Sequence, residues 1–137
     1  MSLIFIGPAG SVEHSWIAYA LLRDNVQHHL EGGRRGPSFH RLHQIADATR
    51  QKNLALPASG LHDELLKARE GLRDRPRSEL AISMRTRSVI SLVWPPPDKN
   101  ETMLVSEQPG GLLPWLPSGE QLLDVFGHLL DDLIRIT

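Results

Sequence analysis

Residues 80–94 read LAISMRTRSVISLVW. Leu80, Ile82, Met84, Thr86, Ser88, Ile90 and Leu92 stand at every second position, with Ser83, Arg85, Arg87 and Ser91 between them. A period of two is that of a strand with one face on a core. Folding the segment into a tight hairpin needs a turn near Thr86-Arg87, which lacks the Gly or Asn of two-residue hairpins. The spacing therefore predicts one long, bent strand over 80–94, ended by Pro95-Pro96-Pro97. A shorter antiparallel strand is expected to return over 102–106. At the N-terminus, residues 3–6 (LIFI) form a continuous apolar run stopped by Gly7-Pro8, the pattern of a strand buried on both faces. The predicted class is α+β, a small antiparallel sheet packed by about four helices.

The helices follow from three- and four-residue spacing. From Val12 to about Leu30 the apolar residues recur at helical steps with Ser11 as N-cap, although Trp16, Ala18, Ala20 and Leu22 also fit a strand. Three glycines and a proline in residues 31–37 predict a mobile loop without a folded element. Ser38 is placed to cap a helix facing inward with Phe39, Leu42, Ile45, Ala46 and Thr49. Ser59 opens another, with Leu61, Leu65, Ala68 and Leu72 on one face. Ser118 and Gln121 form a capping box for the last helix, whose stripe is Leu122, Phe126, Leu129, Leu130 and Leu133.

With 137 residues, 40% hydrophobic and 23% charged, the chain has the size and composition of one α+β domain over 1–137, with no linker or repeat. The absence of cysteine excludes disulfides, thiolate nucleophiles and cysteine-ligated metal sites. A formal charge of -1 does not suit a general nucleic-acid binder. No apolar run approaches the ~18 residues of a membrane span, and the N-terminus lacks a basic signal region, so a cytosolic protein is expected.

Seven histidines raise a metal site, the densest group being His28, His29, His40 and His43. Histidines at i, i+3 on a helix can reach one ion, but no motif supplies a carboxylate, and the neighbours His28 and His29 diverge on a helix. No cofactor is expected. Gly7-Pro8-Ala9-Gly10-Ser11 lacks the lysine of a phosphate-binding loop, and no nucleophile elbow accompanies Ser11 and His14. Charge is divided along the chain. Residues 67–87 hold seven basic against three acidic residues, whereas 100–137 hold six acidic residues against Arg135 alone.

These features predict a non-enzymatic protein that binds a protein partner; Trp115, fixed between Pro114 and Pro117, is read either as a plug over the core or as the anchor of that interface. Asp124, Asp131 and Asp132 on the last helix are expected to face a basic partner. In general character only, and through no particular residue, such small domains resemble toxin-neutralising immunity proteins and secretion-chaperone adaptors. Two other classes compete: a small metal-dependent enzyme using the histidines, and a nucleic-acid-associated protein using the segment from Arg73 to Arg87. The last helix can pack inward alone or extend its stripe into a homodimer.

Overall fold

The computed structural model describes residues 2–47, 52–57, 60–73, 80–86, 88 and 119–137. Strand β1 (Ser2–Gly7) turns through Pro8-Ala9 into β2 (Gly10–Ser15), which pairs with it antiparallel from Ser2↔Ser15 to Gly7↔Gly10. A short β3 (Asn53–Ala55) joins the other edge of β1 in parallel, with Phe5 opposite Leu54. The order is β2-β1-β3. Helix α1 (Trp16–Leu30) follows β2 directly, then a 3₁₀ turn (Pro37–Phe39), α2 (His40–Asp47), α3 (Leu61–Leu72) and α4 (Gly119–Ile136). The α+β class therefore holds. Among the described residues the sheet is mixed rather than purely antiparallel, and its members differ from those the sequence predicts.

Leu3 and Phe5 turn one face of β1 onto the helices and are fully buried, while Ile6 on the other face is 46% exposed. The strand is therefore not buried on both faces as its continuous apolar run suggests. Residues 12–15, expected to begin the first helix, instead belong to β2 and complete the hairpin. Ser15, not Ser11, is the N-cap, accepting a hydrogen bond from the Ala18 N–H at 3.2 Å. The hairpin turn is docked by the end of α4: the Ala9 N–H donates to the Ile136 carbonyl at 3.0 Å. A Cβ at Gly7 would lie 2.5 Å from that same oxygen, so only glycine fits there.

Helix α1 is the centre of the molecule and packs against α2, α3 and α4. Its buried Ala18, Tyr19, Leu21, Leu22 and Val26 join Leu42, Leu61, Leu65, Ala68 and Leu72 in a single core. The Tyr19 ring stacks at 5.5 Å from Phe5 and its hydroxyl donates to the Leu42 carbonyl, so a buried polar tip has a partner. The stripe predicted for the last helix is buried at Phe126, Leu129, Leu130 and Leu133, and Ile136 extends it. Ser118 and the side chains of Gln121 and Leu122 lie outside the described residues.

Helix α2 is capped from a distance. Glu64 of α3, itself buried, accepts from the N–H groups of Arg41 (3.0 Å) and Leu42 (3.3 Å) and from the Arg41 guanidinium (3.5 Å). The carboxylate thus satisfies donors at the start of α2, the role expected of Ser38, which is exposed.

Residues 80–86 are not a strand of this sheet. Leu80 and Ile82 are buried as the alternation requires, but Asn25 of α1 takes both backbone groups of Ala81, donating to its carbonyl at 3.0 Å and accepting from its N–H at 2.9 Å. Asp24 accepts from the Ser83 N–H at 3.0 Å. From there the chain turns into a helical segment at 84–86, with Ser83 Oγ accepting from the Thr86 N–H at 3.3 Å. Ser and Thr bonding to their own backbone compete with a ladder, and here the local bonds win. Ser88 is helical too, its hydroxyl donating to the Met84 carbonyl at 3.1 Å, while residues 87 and 89–94 of the predicted long strand and the return strand over 102–106 lie outside the described residues.

Candidate functional site: a cleft over a buried Glu31–His43 pair

Glu31 sits at the C-cap of α1, where the helix carbonyls repel a carboxylate, so its burial there demands compensation. The compensation is complete. One oxygen contacts His43 Nε2 of α2 at 2.5 Å, and the other accepts from the Gly36 N–H. Both side chains are almost closed to solvent, at 3% for Glu31 and 5% for His43. The loop between them is tied as well: the Gly33 N–H donates to the Gln27 carbonyl at 2.8 Å, and the Gln27 amide donates back to the Gly33 carbonyl at 3.1 Å. Gly32 and Gly33 take positive φ of 65° and 91° to make this path. The glycine-rich segment expected to be mobile is thus a hydrogen-bonded strap around a buried carboxylate, and its end enters the 3₁₀ turn at Pro37.

An ionised carboxylate only accepts, so the proton shared with Glu31 belongs to His43 Nε2. Nδ1 is then the free end of the ring. Among the described residues it is the one buried side-chain nitrogen or oxygen without a hydrogen-bond partner. His43 also lines a cleft of about 340 Å³, together with Arg35, Gly36, Pro37, His40 and Gln44. A second cleft of about 330 Å³, between the end of α1 and residues 81–83, differs in kind. Its Asp24 already bonds Arg23 and Ser83, and its Gln27 bonds Gly33.

Of the four histidines that raise a metal site, His40 and His43 share the first cleft, as their i, i+3 spacing on one helix allows. His28 and His29 lie at the end of α1 with rings edge to face at 4.8 Å. Among the described residues no three His, Asp or Glu side chains come close enough to hold a metal ion.

The acidic residues of α4 have separate fates. Asp124 is exposed. Asp131 is exposed and lies 3.6 Å from Arg69 of α3. Asp132 is drawn down onto β2 by His14 at 2.6 Å, with Arg135 at 3.4 Å. Trp115 lies outside the described residues. In the basic segment, Arg73 pairs with Glu70 at 2.7 Å and Arg85 lies 5.5 Å from the Trp16 ring centroid, while Arg75, Arg77 and Arg87 lie outside the described residues. Among the described residues no helix is long and apolar enough to cross a membrane.

Burial works against the charge on Asp132, but hydrogen bonds from His14 and Arg135, and then their positive charge, outweigh it. The carboxyl is held below its ordinary value of 3.8. A folded-state value below the unfolded one contributes stability that is complete above that ordinary value and is lost as pH falls through the lowered value. Urea midpoints of the parent chain are therefore expected to fall more steeply in this acid range than those of Asp132→Asn. Parallel profiles would show that the His14–Asp132 contact adds nothing to the fold.

No protein-family model, curated protein or solved structure matches the chain.

Proposed function

We propose that the chain is a binding protein whose ligand occupies the cleft between the 31–36 strap and α2. The observation that carries this reading is the unpaired, buried Nδ1 of His43 at that cleft. Leaving a buried polar group without a partner costs ~1–3 kcal/mol, and a leucine at this position would avoid the cost. A ligand that meets Nδ1 recovers it. Glu31 fixes the tautomer and the ring orientation in advance, so little ordering is needed on binding. Binding is favoured over covalent catalysis because, among the described residues, no hydroxyl, thiol or amine lines the cleft.

The test is a titration of ring-labelled protein, followed through the His43 resonances, with acetate, inorganic phosphate, glycerol and methylammonium. At least one of these probes is expected to move His43 and to lose its effect in Gln44→Trp, which fills the cleft from an exposed position. If none moves His43 in the folded protein, the cleft is not a binding site.

A second reading places a basic protein partner on α4. It is favoured by the exposure of Asp124 and Asp131 two turns apart on that helix. Asp124, Asp131 and Asp132 would then act by electrostatic steering and Trp115 by burial. On this reading, changing the three aspartates to asparagine slows association and flattens its salt dependence, and Trp115→Ala speeds dissociation. A partner that binds all these variants as it binds the parent does not use this face.

A further inference from the structure

We infer, on the premise that this cleft is the binding site, that its ligand presents an oxyanion, a carboxylate or a phosphate group, to His43 Nδ1. Among the described residues the ionisable groups lining the cleft are Arg35, His40 and His43, all bases. Glu31 is the acid in contact with His43, and both of its oxygens are committed, one to His43 Nε2 and one to the Gly36 N–H. Its charge therefore supports an imidazolium from behind and does not face the ligand.

In the ligand-free ring Nδ1 carries a lone pair, so an oxyanion binds there together with one proton, brought on its acid form or taken from solvent; because Nε2 already carries its proton toward Glu31, that proton goes to Nδ1. The ring then becomes a donor aimed away from its counter-charge. An oxyanion accepting from Nδ1–H completes a row in which carboxylate, imidazolium and anion alternate in sign. Such charge-assisted bonds are roughly twice as strong as neutral ones. A cation in the same place would face Arg35 and an imidazole whose other nitrogen is taken, so the basic lining that favours an anion opposes a metal ion. A volume of about 340 Å³ is at the small end of ligand sites, which fits a compact anionic metabolite or one anionic end of a larger one.

The experiment is the four-probe titration repeated at constant ionic strength with chloride as the balancing anion, in the parent chain and in Arg35→Gln and His40→Asn. Both changes fall at exposed positions. Acetate or phosphate is expected to saturate the His43 signal, moving Nδ1 toward its protonated position while Nε2 stays bonded to Glu31. Each variant is expected to weaken that binding by up to about tenfold, as removal of a base from the lining implies. Whichever of the two oxyanions saturates at lower concentration identifies the group. Saturation by glycerol or methylammonium, with no response to either oxyanion, overturns this inference and leaves the cleft reading standing. Equal oxyanion binding by the parent and both variants also overturns it. No response to any of the four overturns both.

Discussion

Phe126→Ala is expected to lower the unfolding free energy by ~3–5 kcal/mol, the cost of removing a large aromatic side chain from a packed interior. Phe126 is on the stripe of α4 that closes the core over Leu129, Leu130, Leu133 and Ile136, and it is almost wholly buried. Because α4 packs on both α1 and α3 and its last carbonyl holds the β1–β2 turn, the loss has no local outlet. The measurement is chemical unfolding at equilibrium. A change in midpoint without a change in slope is the expected form. A near-neutral result would show that the stripe does not carry the core.

The second large effect is at Glu31. Glu31→Ala is expected to cost ~3–5 kcal/mol, because removing one member of a buried pair strands the other and, here, also releases the Gly36 N–H. Glu31→Gln is predicted to be much milder and different in kind. Its amide carbonyl can still accept from Gly36, while its NH₂ faces Nε2 and drives the His43 proton to Nδ1. The two variants separate charge from bonding. Limited proteolysis within residues 32–36 should follow the same order, fast in the alanine variant and close to the parent in the glutamine variant. Equal stability of Glu31→Ala and the parent would mean that the strap is not held by this carboxylate.

The parts of the fold that could be read in the sequence are those where one period runs unopposed. Leu61, Leu65, Ala68 and Leu72, and likewise Phe126 to Leu133, alternate with charged residues at helical steps and are buried as that pattern requires. The strand Leu3–Ile6 was legible from its apolar run. Strand β2 was not, since Val12 and His14 are only half-buried and the Pro8-Ala9 turn lacks the residues that mark a two-residue hairpin. Strand β3, three residues long, is too short for any period to register. At 80–86 the alternation marks Leu80 and Ile82 as buried, but it fails at Ala81, which is buried between them, and at Met84, which is exposed, and it does not show what pairs with the Ala81 backbone. That role falls to Asn25, a side chain 56 residues earlier.

The candidate site was half visible. The spacing of His40 and His43 brings both to one cleft, whereas the link to Glu31 spans a loop and leaves no periodic trace. The signal for it was an acidic residue at the C-terminal end of a helix, where the dipole makes a solvated carboxylate a poor choice.

The most direct test of the site is the pair of ¹⁵N chemical shifts of the His43 ring in ligand-free protein at neutral pH. With Glu31 holding Nε2, the account predicts a proton on Nε2 and an Nδ1 that bonds no group of the protein. A proton on Nδ1 bonded to a protein acceptor would contradict it, because the ring would then have no free end to offer a ligand.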